Sequence, residues 1–263
     1  MDAYKQKVFD SYSTGLEAFR AEKAGPYGQE FHYTKKLLDP YITSDKDVIE
    51  LGCGGGYYGL YYAERCNSYL GVDLSPVNIA AFQQEISKAG YQNVTAQIGD
   101  ATALTDIPDN AFDVVLCLGP MYHLRHEDRQ ACMKECQRIC KPGGLIALAF
   151  INKTGAIAKF APAVGWPRVL TPEIDHFVLD LGTDDAHPEV FFYTMPEEIS
   201  KDATDAGLEV VTLAGLDFLI FEHEMELLSD AQRAILFRIL DTMHESPYCS
   251  GLANHAMLLC KKP

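Results

Sequence analysis

Nine residues, Val48-Ile49-Glu50-Leu51-Gly52-Cys53-Gly54-Gly55-Gly56, constrain this chain more than any other stretch. They read as a buried strand that runs into a glycine-rich turn and opens a helix at about Tyr57. Glycine tolerates positive φ and lets a ligand approach the backbone closely. The amides at the helix start favour an anionic group. Four glycines in five positions exceed what a plain strand-to-helix turn needs.

The pattern around this turn is a repeating one. Strands are expected at Val48–Leu51, Tyr69–Val72, Val94–Ile98, Phe112–Leu118 and Leu145–Ile151. Helices are expected between them: Tyr57–Arg65, Pro76 to Gly90 with Ser75 as N-cap, and about 127–140, stopped by Pro142-Gly143-Gly144. Strands alternating with helices of this length predict an α/β fold, a Rossmann-like, doubly wound, mostly parallel sheet. Ahead of it, apolar residues at helical spacing predict a helix over 4–22, broken at Gly25-Pro26, and a second over 29–39. Residues 152–193 carry four prolines, the only tryptophan and several aromatics, which suits an inserted lid better than a linker. Thr194-Met195-Pro196-Glu197 reads as a capping box for a helix to about Ala206, followed by a strand over Leu208–Leu213. A second capping box, Ser229 to Gln232, heads a helix to about Met243, and Ala256–Cys260 is a final strand. The expected organisation is one domain: a helical cap over 1–44, a core over 45–151, the lid over 152–193, and the completion of the sheet over 194–263.

Charge and cysteine usage exclude several classes. The formal net charge is −15, and between Val169 and Gln232 sixteen acidic side chains face one basic one, Lys201. Such a chain repels phosphate backbones and anionic lipid, so neither nucleic acid nor a membrane is an expected partner. The start has no basic segment followed by an apolar one, and the longest apolar runs are strand-sized. Eight scattered cysteines without a Cys-x-x-Cys pair read as reduced thiols of a cytoplasmic protein. Nothing in the sequence fixes an oligomeric state.

Which ligand the turn serves follows from its spacing. The dinucleotide fingerprint G-x-G-x-x-G/A, counted from Gly52, ends on Tyr57, which weakens a nicotinamide or flavin reading. Asp73 closes the second strand, where a carboxylate can accept hydrogen bonds from vicinal ribose hydroxyls, or simply cap the following turn. Asp100, in Gly99-Asp100-Ala101, follows the third strand, within reach of an adenine amino group. Three acceptor elements at neighbouring strand ends point to a nucleoside pocket.

This set resembles the class I S-adenosylmethionine-dependent methyltransferases, in a bacterial small-molecule-type subgroup. The resemblance rests on Glu50–Gly56, Gly71-Val72-Asp73-Leu74-Ser75, Gly99-Asp100-Ala101, Phe112-Asp113-Val114-Val115 and Ile139–Gly144, in order over about 45–151. The continuation Leu118-Gly119-Pro120-Met121-Tyr122-His123-Leu124 is similar to the subgroup. The family implies a seven-stranded sheet with the last strand antiparallel. It implies that Glu50, Gly52, Cys53, Gly54 and Gly56 lie near the methionine part of S-adenosylmethionine. Asp73 and Leu74 would take the ribose, Asp100 and Ala101 the adenine, and Leu118 would line the cofactor. The product would be S-adenosylhomocysteine and the partner a small-molecule acceptor.

The sulfonium methyl is already activated, so catalysis is expected to be alignment in a desolvated site, with a base needed mainly for a hydroxyl acceptor. His123 could be that base or a structural loop histidine, and Tyr122 a wall or a donor. Tyr27, His32 and Tyr33 on the cap, and Trp166 and His176 on the lid, are candidate acceptor contacts or plain packing. Cys132, Cys136 and Cys140 share one helix face, as a core stripe rather than a soft-metal site. Asp113 stands alone near the fourth strand, so no metal is expected. A non-catalytic S-adenosylmethionine-binding protein of the same fold is the alternative.

Overall fold

The computed structural model describes residues 3–12, 28–181 and 190–263. β1 (Asp47–Leu51) takes the middle of the sheet because Val48, Ile49 and Leu51 bury both of its faces completely. It pairs in parallel with β2 (Ser68–Asp73) on one flank and β4 (Phe112–Cys117) on the other. β3 (Val94–Ile98) lies beyond β2, and β5 (Cys140–Asn152) beyond β4. The two-residue β6 (Tyr193–Thr194) pairs with the end of β5. β8 (His255–Lys261) runs antiparallel between β5 and β7 (Glu209–Gly215), giving the order β3-β2-β1-β4-β5-β8-β7. The last strand is antiparallel, as the resemblance implied. From β1 the chain moves outward to β2 and β3 and then returns to β1's other flank, so the connections part at the carboxyl ends of β1 and β4 and leave a crevice there.

Local sequence explains the covering helices. α1 (Ala3–Tyr12) and α2 (Gln29–Leu38) precede the sheet; residues 13–22 of the expected first helix lie outside the described residues. α3 (Tyr57–Tyr62) follows the glycine turn. α4 (Pro76–Ala89) begins as expected, with Ser75 Oγ accepting from the Asn78 amide and Pro76 in the first turn, and stops at Gly90 with φ +75°. α5 (His126–Ile139) buries Cys132, Met133, Cys136 and Ile139 along one stripe.

Three segments differ from expectation. Pro142-Gly143-Gly144 does not stop α5. The helix ends at Ile139 because Cys140 is already extended, and the Pro-Gly-Gly run forms an irregular start to β5, where pairing moves from Phe112↔Cys140 to Val114↔Leu145. Thr194 does not cap a helix either. It is buried and accepts a hydrogen bond from Arg129 at 2.7 Å, so Met195 becomes the N-cap of α7 (Pro196–Asp205), its amide donating to Glu198 Oε2 at 2.9 Å. The inserted segment is largely helical. α6 (Lys153–Val164) runs straight out of β5, and short turns at Trp166–Val169, Pro172–Ile174 and Asp175–Leu181 follow it. α6 is clamped beside the sheet rather than over its edge: a Cβ on Gly155 would stand 1.8 Å from the Ala253 carbonyl oxygen, a closeness only glycine permits.

The C-terminal helix α8 (Asp230–Glu245) has its expected capping box, with the Ser229 amide donating to Gln232 Oε1 at 2.9 Å. It fixes α2. The Tyr33 and His244 rings lie 4.5 Å apart, and Lys36 pairs with Asp241 at 2.8 Å. At the other end of α2 the fully buried Gln29 donates to the Ile220 carbonyl and accepts from the Phe218 amide, both at 2.9 Å. α2 is thus seated against the loop that follows β7. Among the described residues, no helix is long and apolar enough to cross a membrane.

Candidate active site

A cavity of about 630 Å³ opens where the carboxyl ends of β1 and β4 part, a size typical of small-molecule sites. One half lies over β1, β2 and β3. The glycine turn forms its floor, and Gly52 takes φ +75°, where a side chain would be strained and a Cβ would sit 2.7 Å from Pro120. Asp73 lines this half from the end of β2. Its Oδ2 accepts from the Gly54 amide at 2.8 Å, and its Oδ1 from the Ser75 amide at 2.8 Å and Asn78 Nδ2 at 3.2 Å. Burial raises the Asp73 pKa, against the pull of those donors. Oδ2, with one donor, keeps lone-pair capacity for a ligand hydroxyl, whereas Oδ1 already accepts two hydrogen bonds.

Asp100 and Ala101 line the cavity from the end of β3. Burial would raise Asp100, but the Thr102 hydroxyl and amide and the Lys5 ammonium outweigh it and hold the group below its ordinary value. Glu50, in the floor, is pushed up to about 8 by complete burial, although the Tyr69 hydroxyl donates to it at 2.7 Å. Cys53, Leu74 and Leu118 complete this half.

α1 crosses the opening. Tyr4 donates to the His123 carbonyl at 3.0 Å, Lys5 reaches Asp100 and Thr102, and the Tyr12 hydroxyl meets His123 Nε2 at 2.7 Å. His123 Nδ1 is held by the Val190 carbonyl at 2.6 Å, so its two ring nitrogens both have partners. A carbonyl can only accept, which puts the proton on Nδ1 and leaves Nε2 to accept from Tyr12. The Tyr122 hydroxyl donates to the Leu118 carbonyl at 3.2 Å.

The other half lies over β4, β5 and β8. Tyr122, Ala149, Leu216 and Met257 give it apolar walls. α2 closes it with Glu30, Phe31 and Thr34, which share a helix face. Glu30 Oε2 stands 3.9 Å from His255 Nδ1, and that nitrogen lies 3.0 Å from Asp217 Oδ2. Asp217 is buried and also takes the Lys159 ammonium at 2.7 Å. Burial opposes its ionisation, but His255 and Lys159 hold its pKa well below the carboxylate range.

Several expected contacts sit elsewhere. Gly56 is behind the floor, with φ +86° and room only for the Phe82 ring; Gly55 lines the cavity instead. Tyr33 turns into the core against His244, and His32 is exposed beside Phe237, because the cavity takes the 30, 31 and 34 face of α2. Trp166 is largely exposed, and neither it nor His176 lines the cavity. Tyr27 lies outside the described residues. Sequence reasoning missed Lys5, Tyr12, Glu30 and His255. The 30/34 spacing on a helix next to the core was the one local signal that could have found Glu30.

The cysteine stripe divides. Cys132 and Cys136 join Cys117, with the sulfurs of all three within 4.8 Å of one another, while Cys140 contacts the Leu145 carbonyl. All three are buried, and none lines the cavity.

Fold and site together define an α/β protein with a carboxylate-lined pocket at the ends of β1–β3 beside a second, apolar chamber. A methyltransferase-domain family model matches residues 48–144. The ubiquinone biosynthesis O-methyltransferase of Pseudomonas paraeruginosa is 30% identical over 189 residues, covering 70% of this chain and 74% of that protein. The enzyme of the same name from Acinetobacter baylyi is 29% identical over 178 residues, covering 66% and 67%. In fold, the chain is similar to magnesium protoporphyrin IX methyltransferase from Synechocystis PCC 6803 with bound SAH, with TM-score 0.64, 16% identity and coverage of 98% and 100%. The chain belongs to the class I S-adenosylmethionine-dependent methyltransferases. It is an enzyme that transfers the methyl group of S-adenosylmethionine to a small-molecule acceptor.

Proposed function

We propose that this enzyme methylates an oxygen of a small, largely apolar acceptor seated in the chamber over β4, β5 and β8. The observation that carries the reading is the division of one cavity into a carboxylate-lined nucleoside half and an apolar half. The two O-methyltransferase relatives support oxygen as the atom methylated.

The residues present fit the cofactor. The Gly52–Gly55 backbone would lie along its methionine part, Asp73 would accept from the ribose hydroxyls, and Asp100 with Ala101 would face adenine. Leu118 would pack on it at the border of the two halves. Bound there, S-adenosylmethionine supplies a methyl group on a positively charged sulfur. The chain's own contribution is then to align the acceptor and exclude water, an orientation effect that can supply several kcal/mol of a barrier. α1 contributes the exclusion, with Tyr12 held across the opening by His123. In this reading His123 positions Tyr12, and Tyr122 is wall.

The step needs no metal, because the methyl group is already electrophilic. Asp113 lies at the amino end of β4, away from the cavity, and is paired with Lys141 at 2.7 Å. In this reading residues 1–44 cap a core over 45–151, with 152–193 inserted and 194–263 completing the sheet, as one domain. The acidic surface argues against nucleic acid as substrate, and eight unpaired thiols suit the cytoplasm.

The test is calorimetric binding of S-adenosylhomocysteine to the parent and to Asp73→Ala, with NADH as control, followed by transfer of labelled methyl into phenols and amines. The variant is expected to bind about 10- to 150-fold more weakly, the range for hydrogen bonds to a charged group. Parent-like binding by the variant would remove Asp73 from the site, and labelling of amines alone would reject oxygen as the acceptor atom.

A further inference from the structure

Four charged or chargeable side chains alternate in sign from the cavity wall inward: Glu30, His255, Asp217 and Lys159. Glu30 lines the acceptor half. His255 is the first residue of β8 and pairs with Ile151 near the end of β5, at the same sheet edge as the cavity. Its Nδ1 lies 3.9 Å from Glu30 Oε2 and 3.0 Å from Asp217 Oδ2. Asp217 is fixed from behind by the buried Lys159 ammonium at 2.7 Å, and it accepts the His255 backbone amide as well. Asn254 Nδ2 is 3.1 Å from the same ring nitrogen and 3.4 Å from Asp217 Oδ2, so a proton on Nδ1 leaves that amide to Asp217.

A structural cluster would need only Asp217 and Lys159. Here the series continues through an imidazole to a carboxylate on the wall of the acceptor chamber. The other titratable ring recorded beside His255, among the described residues, is Tyr122, with centroids 6.3 Å apart. Imidazole ordinarily titrates near neutrality, about 6.5, and can hold a proton that a lone carboxylate would not keep at pH 7.

We propose that Glu30 accepts the proton of a hydroxyl acceptor during methyl transfer, with His255, Asp217 and Lys159 as positioning residues. The inference rests on the oxygen-acceptor reading above. In the step, the acceptor O–C bond forms as the methyl C–S bond breaks, and the electron pair of that bond passes to sulfur. The O–H proton goes to the Glu30 carboxylate, beside which His255 stands as a charge partner while Asp217 accepts from its Nδ1–H. The proton leaves to solvent after the turn.

The test uses the full-length enzyme with two phenols of different acidity as probe acceptors, at pH 8.5. 4-Nitrophenol is largely ionised there and 4-methoxyphenol is not. Glu30→Gln is expected to lose about 10²- to 10⁴-fold in kcat/KM on 4-methoxyphenol, the usual contribution of a general base, with little loss on 4-nitrophenol. His255→Asn is expected to move the acidic limb of kcat/KM on 4-methoxyphenol to higher pH, because the charge partner of Glu30 is lost. A merely structural His255 would lower the plateau and leave the limb in place. S-adenosylhomocysteine affinity, unchanged in both variants, certifies their fold. Independently of turnover, the NMR titration midpoint of the His255 ring in the S-adenosylhomocysteine complex is expected to fall in Glu30→Gln, because a neighbouring anion is lost. Equal losses on both phenols, or an unmoved midpoint, would overturn the proposal. A parent enzyme that methylates amines and neither phenol would overturn the oxygen-acceptor reading itself, and the proposal with it.

Discussion

The Lys5 ammonium stands 2.9 Å from Asp100 Oδ2 and so ties α1, at the start of the chain, to the end of β3. Asp128 lies 3.8 Å from the same nitrogen. The contact lies at the wall of the cavity, which α1 lines through Lys5, Val8, Phe9 and Tyr12. Lys5→Met is therefore expected to speed release of S-adenosylhomocysteine roughly two- to fivefold, a modest figure because the pair is partly solvated. Added salt should bring the parent's release rate towards that of the variant. Stopped-flow release at low and high salt measures this, and identical rates for the two proteins at low salt would deny α1 its role as a strap.

Gly56 and the Phe82 ring occupy the same space that a side chain would need. With φ +86° and a Cβ that would fall 1.9 Å from Phe82 Cδ2, Gly56→Ala combines backbone strain with overpacking. The expected cost is about 3–5 kcal/mol of stability. A urea unfolding midpoint within error of the parent's would contradict it.

Glu50 gives the protein a pH-dependent stability of definite sign. Its folded-state pKa is pushed up to about 8, first of all by burial, against about 4.3 in an unfolded chain. The folded protein therefore holds a proton that the unfolded chain releases between those values. The contribution is full below about pH 4 and drains away as pH rises to 8. Glu50→Gln should flatten the fall in Tm between pH 5 and 8 in the ligand-free enzyme. A parent curve no steeper than the variant's would show that Glu50 is ionised throughout.

Much of the cofactor half was legible in the sequence because each of its parts is local. A strand end, a glycine turn and a carboxylate three residues before a proline-started helix are all encoded within a few positions, as at Asp73, Ser75 and Pro76. Gly56 marks the limit of that reading. Its glycine was legible but its reason was not, since Phe82 comes from a different helix. The capping box at 194–198 slipped by one residue for a similar cause: Arg129, remote in sequence, claims the Thr194 hydroxyl.

The acceptor half was not legible. Whether Glu30 or His32 meets the cavity depends on the rotation of α2, which Gln29 fixes through the loop after β7 and Tyr33 through α8. The sequence by itself determined the doubly wound sheet and the crevice at its switch point, because alternation of apolar strands and capped helices leaves few ways to bury both faces of β1. Only the tertiary structure decided that Glu30, His255, Asp217 and Lys159 stand in one row. They come from three elements and the loop after β7, with no short-range pattern among them, and charges so placed are brought together by the packing of the fold, not by any preference of the residues for one another.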